Sequence, residues 1–258
     1  MYAGPVPAPV RIGHGSDAGR VRPLNEDYHR VWRFGSEAPL VVLAVADGMG
    51  GAAAGEVASK LAIEALDETI RRYVAERDAG RRVVGLPSLL EKAIRLANRR
   101  VYGAALERPS EKGMGTTLTC VAFEGGEAHV GHVGDSRAYL VREDRIYQLT
   151  RDHSWVEEQI ERGVLTEEEG RAHAWRNLIT RALGTRPQVA PDTATIEVRP
   201  GDVLLVSTDG LHGVVEAEEI LAEVGRAGDR QSAVDALIAL ANERGAPDNV
   251  TVVAAEVA

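Results

Sequence analysis

An uninterrupted run of seven apolar residues, Leu40–Ala46, lies near the start of the chain. Such a run is typical of a strand covered on both faces, and it is too short to cross a membrane. Asp47 and the glycine-rich residues 48–51 follow it, and apolar residues at helical spacing then occupy 57–66. The pattern therefore predicts a buried strand, an acidic turn, a glycine-rich loop and a helix, in that order.

The rest of the pattern predicts a mainly antiparallel sheet protein with helices inserted early and late. Of the two long early helices, the first follows the glycine-rich loop and ends near Val74, and the second spans residues 89–106. Later helices cover 220–224 and 232–243. The polar stretch 150–192 is partly helical, and a segment of that length between strands is typical of a lid or binding insertion. Single strands are predicted at 10–15, at 28–34, where the chain returns, and at 250–257. Three hairpins are predicted, which join 115–123 to 128–133, 138–141 to 145–149, and 193–198 to 202–206.

Composition narrows the class of protein. The chain has 258 residues, a formal net charge of −9 and a single cysteine, Cys120. The acidic balance argues against a general nucleic-acid binder, and the lone cysteine suggests a reducing compartment. We expect a cytoplasmic protein without a membrane segment, with residues 1–9 as a flexible lead-in and 10–258 as one domain.

Aspartates recur at the ends of the predicted apolar strands. Asp47, Asp135 and Asp209 each follow such a strand, and Asp248 precedes the last one. Clustered carboxylates repel one another and persist only around cations or by holding protons. An all-oxygen ligand set suits Mg²⁺ or Mn²⁺, so the pattern predicts a two-metal site, beside which Arg22 is the natural clamp for a phosphate.

Other interpretations remain open at this point. Asp47-Gly48 is also a common turn dipeptide, and the acidic and basic residues 20–27 also fit a solvated turn. Residues 48–53 fit G-x-G-x-x-A, which is typical of a dinucleotide-binding oxidoreductase, although Asp47 would repel a pyrophosphate. Cys120 lies in an apolar strand without a C-x5-R loop, which disfavours a cysteine nucleophile.

Six motifs occur in an order that resembles a known family. Together they resemble the bacterial metal-dependent protein phosphatases, the type 2C serine/threonine phosphatases, over about residues 11–257. The motifs are S-D-x-G-x-x-R-x-x-N-E-D at 16–27, V-A-D-G-M-G-G at 45–51, G-T-T at 115–117, V-G-D-S-R at 133–137, S-T-D-G at 207–210 and D-N-V-T at 248–251.

The resemblance implies a fold and an activity. The fold is α+β, a four-layer α-β-β-α sandwich of two packed antiparallel sheets flanked by helices, with a flap at about 150–192. The activity is hydrolysis of phosphoserine and phosphothreonine in proteins by direct attack of a metal-bridging water, without a phosphoenzyme. A cognate serine/threonine kinase is an expected partner and substrate, and we expect a monomer. The competing interpretation is a metal-free regulatory module of the same fold.

The resemblance also assigns residues. Asp47, Asp209 and Asp248 would hold one Mn²⁺ or Mg²⁺ ion, and Asp135 with Asp209 would hold a weaker third. The second ion would be held by Glu26, Asp47 and the Gly48 carbonyl, with Asp27 close by. Arg22 would grip the substrate phosphate, which makes Arg22 and Asp47 the expected catalytic residues.

One position departs from the animal members of that family. Met49 stands where they carry a histidine proposed as general acid, and a thioether donates no proton. His153 is another candidate for that role, although a lone histidine is more often structural. His14, His132 and His212 are given the structural interpretation.

Overall fold

The computed structural model describes residues 10–35, 39–50, 54–107, 111 and 113–257. The predicted lead-in, residues 1–9, lies outside them. Within the described residues there are two five-stranded sheets, one two-stranded sheet and seven α-helices. The strands are β1 Arg11–Asp17, β2 Tyr28–Phe34, β3 Leu40–Ala46, β4 Gly48–Met49, β5 Gly115–Thr116, β6 Leu118–Glu124, β7 Glu127–Val133, β8 Arg137–Arg142, β9 Arg145–Gln148, β10 Asp192–Glu197, β11 Val203–Ser207 and β12 Val250–Glu256. The helices are α1 Ala54–Asp78, α2 Leu86–Glu107, α3 Trp155–Glu161, α4 Glu167–Ala172, α5 Asp209–His212, α6 Ala217–Arg226 and α7 Arg230–Glu243.

The two large sheets pack face to face between two layers of helices. One sheet has the strand order β1-β12-β11-β8-β9 and the other β10-β7-β6-β3-β2, with antiparallel pairing throughout. One apolar cluster fills the space between the sheets, a second joins α1 and α2 to the β3 sheet, and a third joins α6 and α7 to the β11 sheet. The predicted four-layer α-β-β-α sandwich is therefore confirmed.

Strand β3 shows why its sequence has no polar position. Leu40, Val42 and Ala44 pack in the cluster under α1 and α2, whereas Val41 and Leu43 pack in the cluster between the sheets. Side chains alternate across a strand, and both faces of β3 are covered, so every position is buried. Truncating Leu43 to alanine would cost about 2–5 kcal/mol of stability.

Two predicted pairings were wrong, and one predicted strand is divided. Strands β10 and β11 are consecutive but lie in different sheets, and so do β1 and β2. The predicted strand 115–123 is divided, because β5 leaves the sheet to pair with β4. A Pro-Gly turn such as Pro200-Gly201 can connect two strands of different sheets as well as two strands of one hairpin. The burial patterns show the difference, since β10 is a half-exposed edge strand and β11 is wholly buried in a sheet interior.

The predicted insertion at 150–192 lies between β9 and β10, and we call it the flap. Helix α3 begins after the N-cap Ser154, and α4 begins after Thr166, which forms a capping box with Glu169. Two isolated bridges, Ser154 to Ile179 and Thr116 to Leu183, fasten the flap to itself and to β5. In the described part of the chain, no helix combines the length and apolarity needed to span a bilayer.

Candidate metal centre

The four aspartates at strand ends meet at one edge of the sandwich. Asp47 follows β3 and Asp135 lies two residues after β7; both strands run antiparallel to the intervening β6 and so end on the same side. Asp209 lies two residues after β11, and Asp248 lies two residues before its antiparallel neighbour β12. Asp27 joins them: burial is the main cause that raises the pKa of Asp47, and the charges of Asp27 and of the other three aspartates raise it further.

The cluster is electrostatically strained without a counter-charge. Loss of solvation raises the pKa of Asp27 to about 7 and that of Asp209 to about 6, and neighbouring carboxylates add to the rise. Burial and Asp209 raise the pKa of Asp135 well above its usual range. Asp27 and Asp135 are buried, whereas Asp47 and Asp209 keep partial access to solvent. That access leaves a route for an incoming ion.

Asp27 is held rigidly between the ends of β11 and β12. The hydroxyls of Thr208 and Thr251 donate to its Oδ2 at 2.8 and 2.7 Å. The Thr251 hydroxyl also lies 2.7 Å from that of Ser16 on β1. These threonines belong to the S-T-D-G and D-N-V-T motifs, so one function of those motifs is to fix Asp27.

Asn249 fixes the connection between β1 and β2, residues 18–27, which we call the 18–27 loop. Its Oδ1 accepts from the Glu26 N–H at 2.8 Å, and its Nδ2 donates to the carbonyls of Ala18 and Leu24 at 2.9 and 2.8 Å. One side chain therefore sets the loop that carries Arg22 and Glu26. Sequence analysis missed this role, and the signal was an amide directly beside Asp248.

Glu26 and Gly48 present oxygens to the same point at the start of α1. The Gly55 N–H donates to Glu26 Oε1 at 3.1 Å. A Cβ on Gly55 would lie 2.6 Å from that oxygen and 2.7 Å from the Gly48 carbonyl oxygen, so only glycine fits there. The two oxygens that the resemblance assigns to one ion therefore lie near the same point.

Arg22 lies beside Asp248, with Nη2 donating to Oδ2 at 2.7 Å. This hydrogen bond, together with the charges of Asp47 and Glu26, raises the pKa of Arg22. The Arg22 side chain is 52% exposed, and only its Nη2 donates to Asp248, which leaves other guanidinium donors for a ligand. Arg22 is thus at the site and charged, and its ion-pair partner among the described residues, Asp248, is itself an expected metal ligand.

The G-T-T motif joins two of the strand ends. Asp47 and Thr117 exchange hydrogen bonds, from the Asp47 N–H to Thr117 Oγ1 and from the Thr117 N–H to the Asp47 carbonyl, both at 2.9 Å. Thr117 Oγ1 also lies 2.7 Å from the hydroxyl of Ser136. Because Ser136 follows Asp135, the motif fixes the separation of Asp47 and Asp135.

His153 ties the Asp135 turn to the flap. The ring Nδ1 of His153 accepts from the Gly134 N–H at 3.0 Å, and the backbone N–H of His153 donates to the Gly134 carbonyl at 2.7 Å. The ring Nε2 lies 3.2 Å from Asp192 Oδ2. Burial lowers the pKa of His153. Nδ1 is engaged as an acceptor, whereas the buried Nε2 is within ion-pair distance of Asp192 but makes no hydrogen bond among the described residues. The engaged Nδ1 and the burial favour the structural interpretation over a general acid.

Two further residues connect the flap to the sheets. The role of Asp152, in the flap, was not predicted, whereas His132, on β7, was predicted to be structural. Arg137 donates from Nε to Asp152 Oδ1 at 2.9 Å and from Nη2 to Asp152 Oδ2 at 2.7 Å, and the charge of Asp152 adds to the raised pKa of both Asp135 and Asp209. His132 bonds through its two ring nitrogens to Thr119 and to the Arg151 carbonyl, as a structural histidine would.

The donor set fits hard divalent cations. The Oδ1 atoms of Asp27, Asp135 and Asp209 are buried and accept no hydrogen bond among the described residues. Within that part of the chain, no three acidic, histidine or cysteine side chains form a complete ligand group. The carboxylates would therefore have to move together, or share an ion with water molecules, when they bind it.

Comparison with known proteins agrees with this geometry. Residues 15–244 match the family described as Protein phosphatase 2C. The chain is 40% identical over 248 residues to the serine/threonine protein phosphatase PstP of Mycobacterium tuberculosis, covering 96% of this chain and 45% of that protein. It is 35% identical to the serine/threonine phosphatase stp of Listeria innocua, covering 93% of each.

Solved structures give the same result. The crystal structure of M. tuberculosis PstP superposes with a TM-score of 0.84 at 38% identity, covering 96% of this chain and 98% of that chain. The structure of the PstP catalytic domain in complex with two manganese ions gives a TM-score of 0.80 at 38% identity, with the same coverage. With motifs, fold and relatives in agreement, this chain belongs to the protein phosphatase 2C family.

Proposed function

We propose that this chain is a Mn²⁺- or Mg²⁺-dependent phosphatase that hydrolyses phosphoserine and phosphothreonine in proteins. The observation that carries the proposal is the group of aspartates with unpartnered buried oxygens beside the half-exposed Arg22. The relatives from M. tuberculosis and L. innocua, which are named serine/threonine phosphatases, support it, as does the PstP structure with two manganese ions.

For the ions we keep the ligand assignment that the resemblance to the family implies. We assign Asp47, Asp209 and Asp248 to one ion, and Asp135 with Asp209 to a weaker third. Glu26, Asp47 and the Gly48 carbonyl are assigned to the second ion, with Asp27 adjacent. When bound, such ions polarise a phosphoryl oxygen and lower the pKa of a water molecule.

The chain itself supplies binding, orientation and rigidity. Arg22 offers guanidinium donors to the phosphate while Asp248 holds its orientation. Thr117 and Asn249 fix the two segments on which the acidic ligands lie. Met49 cannot donate a proton to the leaving oxygen, and His153 is buried with its Nδ1 engaged by the Gly134 N–H, so we assign the proton donor to neither.

Two alternatives are disfavoured. A metal-free regulatory module has no need for the carboxylates, yet all of those expected are present at the site. A dinucleotide-binding oxidoreductase is inconsistent with the sandwich fold and with Asp47 beside the glycine-rich loop. A single domain over 10–258, a cytoplasmic location, a monomeric state and a bacterial signalling role opposite a cognate kinase stay predictions.

The test is hydrolysis of a phosphothreonine peptide by the purified protein. We expect turnover with Mn²⁺ or Mg²⁺, loss of turnover after exhaustive chelation, and recovery when the ion is restored. A matched phosphotyrosine peptide serves as the control for selectivity. Full activity in chelator would contradict the metal requirement, and absence of activity with either ion would favour the regulatory module.

A further inference from the structure

An ion pair at the base of the flap lies between the two aspartates that are assigned to the third ion. Asp135 precedes Arg137 by two residues, and the pairing of β8 with β11 sets Arg137 opposite Ser207, two residues before Asp209. The Arg137 side chain reaches the flap, where its Nε and Nη2 donate to the two carboxylate oxygens of Asp152 at 2.9 and 2.7 Å. We call Arg137 and Asp152 the flap-base pair. It connects the flap to the strand ends beside Asp135 and Asp209.

Hydrogen bonds on both sides hold the flap-base pair in place. The Gly134 N–H donates to the His153 ring at 3.0 Å, and the Ala138 N–H donates to the Thr150 hydroxyl at 3.1 Å. The arginine and aspartate side chains of the pair are 28% and 12% exposed, so water screens their charges only in part. Two parallel hydrogen bonds between planar groups also fix their mutual orientation. The pair therefore presents two fixed charges to the neighbouring carboxylates.

These two charges act on the third-ion position, formed by Asp135 and Asp209, in opposite directions. Burial and the charges of neighbouring aspartates, including Asp152, raise the pKa of Asp135, whereas the charge of Arg137 lowers it. Burial is the main cause that raises the pKa of Asp209, and the charge of Asp152 adds to it. A charge that favours a proton on a carboxylate also favours a cation there, so Asp152 attracts an ion at this position and Arg137 repels it. The guanidinium is thus a physical reason for the third ion to bind weakly.

We propose that the flap-base pair sets the affinity of the third-ion position, with Asp152 as a positioning residue that attracts the cation and neutralises Arg137. This inference rests on the proposed function, because it takes the assignment of Asp135 and Asp209 to a third ion. Asp152 belongs to the flap, whereas Asp135 and Asp209 follow strands of the two sheets. By linkage, an ion at this position holds the base of the flap against the sheets, and release of the flap base weakens the ion by the same factor.

The proposal is tested by Mn²⁺ titration of the full chain, in which electron paramagnetic resonance measures the free ion. We expect Asp152→Asn to weaken the weakest Mn²⁺ site at least about tenfold, and Arg137→Gln, which removes the opposing charge, to tighten it. The two tighter sites should persist in both variants. The matched control is Arg142 with Asp202, a bidentate pair at the other ends of β8 and β11, with hydrogen bonds of 2.8 and 2.6 Å. Asp202→Asn and Arg142→Gln should leave every Mn²⁺ site unchanged.

The signs of these changes separate an electrostatic role from a structural one. Weaker binding at the third-ion position in both single variants of the flap-base pair, or no change in either, would overturn the proposal. Because Arg137→Gln leaves the Asp152 carboxylate without its partner, the double variant Arg137→Gln/Asp152→Asn guards against a failure to fold. The double variant should bind the weakest Mn²⁺ ion more tightly than Asp152→Asn does. Equal or weaker binding by the double variant would also overturn the proposal.

A second readout tests the link to the flap. Mn²⁺ added beyond the amount that fills the two tighter sites should slow hydrogen exchange at residues 149–154 of wild type, and Asp152→Asn should lose this effect. Exchange in wild type that does not respond to this further Mn²⁺ would contradict the link. Neither measurement uses phosphatase activity. Wild type that binds no Mn²⁺ would contradict the proposed function, whereas Mn²⁺ binding with the wrong signs, or at two sites only, would contradict this inference and leave that function standing.

Discussion

At the scale of single residues, Arg22 has two roles open to it. It donates to Asp248, as a counter-ion would, and its side chain is still half exposed, as that of a phosphate clamp must be. Sequence motifs placed Arg22 at the site but did not reveal its partner, because the contact joins residues 226 positions apart.

Replacing Arg22 by alanine separates these roles. We expect KM to rise, because a contact made in both the ground and transition states appears in KM. Loss of a charge-assisted contact costs about 1.5–3 kcal/mol, or about one to two decades in kcat/KM. The variant Arg22→Lys keeps the positive charge but loses the two-pronged guanidinium, so its kcat/KM should lie between those of wild type and Arg22→Ala. Unchanged KM with weaker Mn²⁺ binding would identify Arg22 as a counter-ion.

A second residue-scale prediction concerns Asp135, which we assign only to the weaker third ion. Asp135→Ala should lower turnover while Mn²⁺ calorimetry still shows the two tighter sites. Thr117 and Ser136 do not depend on the Asp135 side chain for their contact, so the turn should persist. Loss of the tight sites in this variant would contradict the assignment.

At the scale of elements, sequence pattern predicted local structure better than pairing. The β3 run and the strand Tyr28–Phe34 were predicted residue for residue, because burial leaves a pattern in one segment. The wrong pairing of β10 with β11 arose because a turn sequence does not specify which sheet the next strand joins. Contacts such as Asn249 to Glu26 depend on that topology, so the motif alone did not predict them.

The connection between the flap and the Asp135 turn gives an element-scale prediction. His153→Ala leaves the buried Gly134 N–H without its acceptor, at a cost of about 1–3 kcal/mol. We expect a lower melting temperature and slower hydrolysis of an aryl phosphate. His153→Asn, whose amide oxygen can replace Nδ1, should restore most of both. An asparagine variant with normal stability and the full loss of turnover would instead indicate proton transfer.

At the scale of the whole molecule, the site opposes stability unless cations are bound. Asp27 and Asp209 retain protons in the fold up to about pH 7 and 6, whereas an unfolded aspartate loses its proton near about pH 3.9. The folded state therefore binds more protons between about pH 4 and 7. It follows that these groups lower the free energy of unfolding as pH rises through that window.

The variant Asp27→Asn isolates the contribution of Asp27 to the change in the free energy of unfolding with pH. The histidines with a lowered pKa contribute to that change with the opposite sign. In chelator, the melting temperature of Asp27→Asn minus that of wild type should increase from pH 5 to pH 8. Excess Mn²⁺ should reduce this difference in melting temperature, because a metal ion binds the deprotonated form of the carboxylates. A difference that is constant with pH in chelator would contradict the raised pKa of Asp27.

The most direct test of the account is the turnover of Asp47→Asn at saturating Mn²⁺ on a phosphothreonine peptide. Asp47 lies at the centre of the cluster and is assigned to both core ions, so we predict a fall in kcat of at least about a hundredfold. Circular dichroism and melting temperature establish that the variant is folded. A folded Asp47→Asn protein with near wild-type kcat would contradict the metal centre proposed here.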